Sequence, residues 1–197
     1  MQLIAPRLGE FHRAYPKIQL DVVVQNSNAD IVADRFDAGI RLGGLLAQDM
    51  VAVPLSGDEE MCIVASRSYV EAHGTPRHPR DLAKHRCINI RMPTDLRLYR
   101  WQLEHERRKH EVAVEGPLIV SENELSLAGA LQGVGFACVF ESQARPHLAA
   151  GDLVRVLRAW TPPFAGFYLY HPSRRQAPPA LRAFIDFFRH MPQKRRR

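Results

Sequence analysis

The residues that first suggest chemistry are His105, Glu106 and His110, which are of the types that bind zinc in metalloproteases. In that motif two histidines lie four residues apart, so that both face one side of a helix. Here they are five residues apart in a segment rich in lysine and arginine, which predicts a solvated turn and no metal site. Three further histidines are interpreted as surface residues: His73, His78 and His85.

A glycine-rich segment, GVGFA at residues 133–137, has part of the spacing of a dinucleotide-binding loop. Cys138 stands where that pattern has its third glycine, and the segment leads into a predicted strand where a cofactor loop would lead into a helix. Gly133 is therefore expected to end a helix in the left-handed conformation, and Gly135 to allow close packing. The functional alternative is that the backbone amides of this turn face a ligand.

The segment SENE at residues 121–124 has two interpretations. Ser121 and Glu124 have the spacing of a capping box, which satisfies free backbone amides at the start of a helix. Alternatively, this helix start faces a ligand through Ser121, Glu122 and Asn123. Because helix starts favour anions but both glutamates oppose them, a neutral, polar or cationic ligand fits equally well.

Three polar residues near the amino terminus are further binding candidates. Ser27 and Asn28 follow a predicted strand, which is where α/β sheets bind ligands, although a simple cap and turn would use the same residues. Arg41 ends the segment DAGIR and can hold a ligand carboxylate with two hydrogen bonds. It can equally form a salt bridge with Asp37 or with another carboxylate of the protein. No GxSxG segment and no Ser/His/Asp set is found, so no catalytic residue is predicted.

The elements that must position these residues follow from the spacing of apolar side chains. Four apolar residues on one face of a 3.6-residue period predict a helix over 3–15. Alternating apolar residues predict a buried strand over 18–24. A short helix is expected from Asn28 or Asp30 to about Phe36.

Later segments give clearer signals. Two antiparallel strands are expected around RWQLEH and HEVAVEG, separated by a charged turn. The segment PPALRAFIDFFRHM predicts a final helix, because its two prolines suit a first helical turn. Its apolar residues have helical spacing and should form the buried face: Leu181, Phe184, Ile185 and Phe188.

Alternation of strands and helices predicts an α/β fold with mainly parallel strands. Breaks near 66–78 and 160–166 indicate a discontinuous arrangement with a ligand cleft. Residues 1–66 and 167–192 would form subdomain I, and residues 67–166 subdomain II. The basic tail at 193–197 is expected to be disordered and dispensable.

Composition excludes several other classes of protein. The chain has 197 residues, 46% of them hydrophobic, and a net charge of +6. Four positive charges lie in the tail, so the folded body has too little excess charge to predict a basic groove. Neither a secretory signal nor an apolar run of membrane-spanning length is present, so the chain is expected to be cytoplasmic. The cysteines lack metal-binding or disulfide spacing and are interpreted as small buried residues: Cys62, Cys87 and Cys138.

Taken together, the order and spacing of several segments resemble the effector-binding domain of LysR-type transcriptional regulators. The resemblance runs from about residue 3 to residue 189, and no single motif decides it. The segments that carry it are LIAPRLGEFHRAYPKIQLDVVV, DIVADRFDAGIRLGGL, VAVPL, SRSYVEAHGTPRHPRDLAKHRCI, SENELSLAGALQGVGFACVF, HLAAGDLVRVLRAW and LYHPSRRQAPPALRAFIDFF.

The resemblance implies two Rossmann-like α/β subdomains like those of type II periplasmic binding proteins, with an inducer cleft between them. It implies no cofactor, and dimers or higher oligomers in which helix 3–15 takes part. Subdomain I would contribute Ser27, Asn28, Arg41 and Gly43 to the inducer site. Subdomain II would contribute Ser121, Glu122, Asn123, Gly135 and Phe136.

Two departures from the family pattern are visible. Nothing here corresponds to the amino-terminal helix-turn-helix domain that contacts DNA, or to the first strand of the effector domain. We therefore expect a fragment that senses a small-molecule inducer, is not an enzyme, and reaches DNA only through the absent domain. A stand-alone solute-binding protein of the same fold is the alternative, and it would need a signal for export. An enzyme built on the same cleft would need catalytic residues that the sequence does not offer.

Overall fold

A computed structural model describes residues 3–24, 31–43, 50–92, 95–172 and 177–190. Within these ranges the α-helices are α1 (Leu8–Ala14), α2 (Arg67–His73), α3 (Asn123–Leu131), α4 (Glu141–Ala150) and α5 (Pro179–Phe188). The strands are β1 (Gly39–Leu42), β2 (Met50–Pro54), β3 (Met61–Ser66), β4 (Ile88–Ile90), β5 (Trp101–His105), β6 (Arg108–Val112), β7 (Leu118–Val120), β8 (Ala137–Phe140), β9 (Leu153–Val156) and β10 (Phe167–Pro172). Short 3-10 helices lie at Ala5–Arg7, Pro79–Lys84 and Arg158–Trp160. The chain divides into two compact units, residues 1–58 with 165–197 and residues 59–164.

Unit 1 is built around an antiparallel sheet of order β1-β10-β2. One face of this sheet packs Val53 and Leu169 against α1 and α5. Phe11 of α1 is 1% exposed, and its ring centroid lies 5.7 Å from that of Phe184 and 5.6 Å from that of Phe188. These aromatic contacts join the first and last helices of the chain.

The predicted final helix is confirmed. It spans α5 and has a proline in its first turn, and of the four residues expected on its buried face Ile185 and Phe188 are in the unit 1 core while Leu181 and Phe184, partly buried, pack against it. The opening helix is also confirmed, but it begins as the 3-10 turn Ala5–Arg7 and ends at Ala14. Pro16 follows two residues later, where its ring would prevent further helical turns.

Unit 2 has an antiparallel sheet of order β8-β3-β9 and a parallel pair, β4-β7. A parallel bridge between Cys87 and Phe136 connects the start of β4 to the start of β8. The hairpin β5-β6 is confirmed, with Glu106 and Arg107 forming its turn at φ of 50° and 63°. Both faces of the β8-β3-β9 sheet carry buried residues, which explains the continuous apolar run of β3.

The glycine predicted to end α3 is confirmed. Gly133 has a φ of +75°, and its amide donates to the carbonyl oxygen of Ala130. Gly151 ends α4 in the same left-handed conformation at a φ of +80°. A side chain at either position would strain the backbone, since L-residues rarely adopt a positive φ.

The expectation of mainly parallel strands is wrong. Only the β4-β7 pair and the single Cys87–Phe136 bridge are parallel among the described residues, whereas the other paired strands are antiparallel. Alternation of helices and strands gives the class of fold, but it does not say which strands become neighbours. The neighbours of β3 and β10 are distant in sequence and run in the opposite direction.

Two local predictions near the amino terminus also fail. Residues 18–24 are not a strand, because no described strand forms a ladder with them, and Val22, Val23 and Val24 are more than half exposed. The described part of the predicted helix ending near Phe36 forms turns. Arg35 there has a φ of 60°, which is incompatible with a right-handed helix.

The strand β3 lies in a different unit from the one expected. Sequence breaks assigned residues 1–66 to the first subdomain, but β3 pairs with β8 and β9, and the units divide after Asp58. The second division falls after Phe164. Glu59 and Phe164 exchange two backbone hydrogen bonds of 2.9 Å and 2.8 Å, which places both residues in one unit.

The tail at 193–197 lies outside the described residues. No helix in the described ranges is long and apolar enough to span a bilayer.

Candidate functional site

The start of α3 lies at the carboxyl end of the parallel pair β4-β7. β7 ends at Val120 and α3 begins at Asn123, so only two residues separate the strand from the helix. The amide of Arg91, just after β4, donates to the carbonyl oxygen of Val120 at 2.7 Å. Because parallel strands place their carboxyl ends at one edge, this is where α/β proteins commonly bind ligands.

Small residues hold α3 close to this strand pair. A Cβ atom at Gly129 would lie 2.9 Å from Ile88 Cδ1 and from Leu118 Cδ2, so the glycine permits the close approach. Ser126 and Ala130 are also buried on this face of the helix. The packing of these three residues against the strand pair, one to two turns after the helix start, therefore fixes the position of that start.

Two polar atoms at this helix start are buried without hydrogen-bond partners among the described residues. They are Oδ1 of Asn123 and Oγ of Ser126, three residues apart and so neighbours on the helix. Ser126 is 0% exposed. A buried polar group without a partner costs about 1–3 kcal/mol, so natural structures retain few of them. Ser126 was missed in the sequence, although it is a polar residue three positions after Asn123 in an otherwise apolar helix face.

The predicted capping box at residues 121–124 is wrong. Glu122 is the N-cap of α3, and its side chain makes no capping hydrogen bond to the helix. Ser121 is exposed and lies one residue before the cap, so the spacing from Ser121 to Glu124 no longer matches the reciprocal arrangement. Ser121 and Glu122 therefore remain exposed polar groups next to Asn123.

Gly135 and Phe136 pack against neighbouring residues of unit 2. A Cβ atom at Gly135 would lie 2.2 Å from the carbonyl oxygen of Arg86. Phe136 is 0% exposed, with its ring centroid 5.3 Å from that of Tyr69 and 5.1 Å from that of His85. Its side chain belongs to the core of unit 2 and lies too deep to face a ligand.

In unit 1, Arg41 and Gly43 lie on one face of the sheet. Arg41 pairs with Tyr168 across the ladder, and its guanidinium carbon lies 5.4 Å from the centre of the Tyr170 ring. A Cβ atom at Gly43 would lie 2.7 Å from the Tyr168 ring. Gly43 therefore lets an aromatic ring lie against the strand beside Arg41. Ser27 and Asn28 lie outside the described residues.

The three cysteine thiols are buried and unreactive. All three are buried, and burial raises the pKa of Cys62, Cys87 and Cys138 to about 12. A thiol with this pKa stays protonated near neutral pH and is a poor nucleophile. Their predicted role as small buried residues is confirmed. Across the described ranges no group of three potential ligands could hold a metal ion.

Comparison with known proteins identifies the family. Residues 1–193 match the family model of the LysR substrate binding domain, so the chain belongs to that family. A protein of Pseudomonas aeruginosa described as a transcriptional regulator is 43% identical over 95% of the chain and 61% of its own length. The HTH-type transcriptional regulator PgrR of Escherichia coli strain K12 is 34% identical over 93% of the chain and 62% of its own length.

A solved structure gives the same result for the fold. The regulatory domain of CrgA, a LysR-type transcriptional regulator from Neisseria meningitidis, superposes with a TM-score of 0.78 at 26% identity. The match covers 94% of this chain and 90% of that domain. The chain thus has the type II periplasmic-binding-protein-like fold of LysR regulatory domains. It spans about three fifths of the length of the curated relatives it matches.

Proposed function

We propose that this chain is the effector-sensing domain of a LysR-type transcriptional regulator, binding a small-molecule inducer in a cleft between its two units. The observation that carries the proposal is the buried, unpartnered amide oxygen of Asn123 at the start of α3, on a residue that is itself only partly buried. Buried polar groups without partners are costly, and a ligand that supplies the missing hydrogen bonds recovers that cost.

The chemistry of these groups restricts the effector. The amide oxygen of Asn123 only accepts hydrogen bonds, so the part of the effector that meets it must donate one. Hydroxyl, amide and ammonium groups meet this requirement. The exposed carboxylates of Glu122 and Glu124 favour the same choice, because they repel an anion at this helix start. A guanidinium such as that of Arg41 suits a carboxylate elsewhere on the effector.

The domain acts by binding rather than by catalysis. An effector that contacts one arrangement of the units better than another shifts the equilibrium toward that arrangement. In the longer regulator, this shift changes how the attached DNA-binding domains engage their sites. The size of the response is limited by the difference in affinity between the two arrangements.

Self-association is the second part of the proposal. Leu8 of α1 is 39% exposed and Leu125 of α3 is 55% exposed, and both helices present these apolar side chains to solvent. We propose that α1 and α3 of different protomers pair through these residues. Leu125→Glu should then lower the average mass measured by analytical ultracentrifugation, and an unchanged mass would contradict this interface. Gln132→Ala, at the other end of α3, is the matched control.

A thermal-shift screen tests the sensing proposal. The probes are small hydroxy acids, amino acids and aromatic acids, added singly to the chain. An effector at 100 times its dissociation constant stabilises by about 2.7 kcal/mol. For a chain of this length, that corresponds to a rise in melting temperature of roughly 5–10 °C.

Variants decide whether a positive compound acts at the proposed site. Asn123→Ala should lose most of the response, whereas Gln132→Ala should keep it. If no compound of the panel shifts the melting temperature, or if Asn123→Ala responds as fully as the original chain, the proposed site is wrong.

A further inference from the structure

The 3-10 helix Pro79–Lys84 in unit 2 is flanked by a histidine at each end. At its start, Nδ1 of His78 accepts a hydrogen bond from the amide of Arg80 at 3.3 Å. Oδ2 of Asp81 accepts from the amides of His78 at 2.9 Å and Arg77 at 3.1 Å. A histidine nitrogen accepts a hydrogen bond only when it carries no proton, so this cap requires neutral His78.

His78 is also one of three histidines around Trp160. Its ring centroid lies 4.8 Å from that of Trp160, with the planes at 71°. His105 stacks on the tryptophan at 4.6 Å and 24°, and His110 meets it at 5.3 Å and 72°. Trp160 thus connects the start of this 3-10 helix to both strands of the β5-β6 hairpin.

A second aromatic cluster lies at the other end of the same 3-10 helix. His85, its C-cap, is half-buried with its ring against Phe136, and His73 stacks on Tyr69 at a centroid distance of 4.3 Å. Burial lowers the pKa of His85, the charge of His73 lowers it further, and Asp81 partly opposes both. His85, interpreted from the sequence as a surface residue, is therefore partly enclosed, whereas His73 and His78 are exposed as expected.

The charged groups on the surrounding elements are mainly basic. On the 3-10 helix and its flanks, the carboxylate of Asp81 is already engaged by two amides. The acidic residues are Glu104, Glu106 and Glu111 on the hairpin and Glu71 on α2. The basic residues on these elements and their flanks are Arg67, Arg77, Arg80, Lys84, Arg86, Arg107, Arg108, Lys109 and Arg158.

We propose that residues 77–85 form an acid-sensitive element that is held closed by neutral histidines at both ends and opens when they are protonated. Protonation of His78 places a hydrogen on Nδ1, which ends its hydrogen bond with Arg80. Protonation of His85 puts a charge in a half-buried site beside His73 and Lys84.

The sign of the effect follows from linkage. His85 binds a proton less readily in the closed element than when it is released, so acid favours the open form. The element is therefore closed at pH values above the ordinary pKa of histidine, near 6.5, and opens increasingly as the pH falls below that value. Opening of the segment also withdraws Leu82, which is fully buried, from the core of unit 2.

Hydrogen–deuterium exchange of the chain at pH 7.5 and 5.5, corrected for intrinsic exchange rates, tests the proposal. Opening of residues 77–85 should increase at least about fivefold at the lower pH, which is the effect expected for losing one side-chain cap. Peptides from β3 in the same unit should keep their protection at both pH values.

Three variants make the test specific. His78→Asn/His85→Phe keeps a good capping residue and a packed ring without titration, and should show less than about a twofold change. His78→Asn alone should give an intermediate response. His147→Asn, in α4, should behave like the original chain. An original chain with equal protection at both pH values would overturn the proposal, as would a double variant that keeps the full acid response.

Discussion

The unpartnered hydroxyl of Ser126 leads to a quantitative prediction in which a truncation stabilises the protein. Ser126 is fully buried in α3, and its Oγ finds no hydrogen-bond partner among the described residues. Removing such a group recovers its desolvation cost of about 1–3 kcal/mol. Alanine also has the higher helix propensity, which adds a few tenths of a kcal/mol.

Ser126→Ala should therefore increase the free energy of unfolding by about 1–2 kcal/mol in the absence of effector. The melting temperature should rise by roughly 2–8 °C, given the usual scaling for a chain of this length. Urea unfolding followed by circular dichroism measures the free energy, and scanning calorimetry measures the melting temperature.

Ser66 provides the matched control. It is also a buried serine of unit 2, but its Oγ caps α2 by accepting a hydrogen bond from the amide of Tyr69 at 3.2 Å. Ser66→Ala should lower the free energy of unfolding by about 1 kcal/mol, because a cap is lost. The same substitution thus has opposite signs at the two sites. If Ser126→Ala destabilises the chain as Ser66→Ala does, the hydroxyl has a partner and the reasoning about the α3 site fails.

Three further outcomes follow from the geometry. Phe11→Ala should cost about 3–5 kcal/mol of unfolding free energy, because it empties the centre of the unit 1 aromatic cluster. Replacing the hairpin turn by Glu106→Asn and Arg107→Gly should stabilise the chain by about 0.5–1 kcal/mol in urea unfolding, since both residues have positive φ. Native protein at pH 8 should react with a thiol reagent only as fast as it opens, whereas rapid labelling would contradict the burial of Cys62, Cys87 and Cys138.

Much of the local structure could be predicted because the decisive signals are short-range. The face of α5, the β5-β6 hairpin and the left-handed Gly133 follow from spacing within a few residues. Family resemblance then gave the correct fold, since it compares the order of all segments at once. These features depend little on partners that are distant in sequence.

Features that depend on distant partners could not be predicted in this way. The direction in which β3 and β10 meet their neighbours depends on which strands become adjacent, and periodicity does not encode that. Residues 18–24 have a strand-like pattern, but a strand also needs a hydrogen-bonding neighbour. Arg35 adopts a left-handed conformation that its sequence does not signal.

The candidate binding residues stay predictions, but the structure shows where the local geometry differs from what the sequence indicates. Asn123 is a candidate because it lies at a predicted helix start that could face a ligand, and its unpartnered oxygen is consistent with that hypothesis. Ser121 was placed at the wrong position of the cap, because several polar residues in a row can each serve as N-cap. The family resemblance implies that Phe136 faces the inducer, but its ring is fully buried in the core of unit 2.

Nitrogen–proton correlation spectra of the labelled chain, recorded while hydroxy acids, amino acids and aromatic acids are added, test the central claim most directly. At least one compound should produce saturable shifts that include the amides of residues 121–126 and 41–43. The amide of Gly151, at the far end of α4, should stay unchanged and serves as the internal reference. Spectra that no compound alters, or saturable shifts that leave residues 121–126 unaffected, would contradict an effector site at the start of α3.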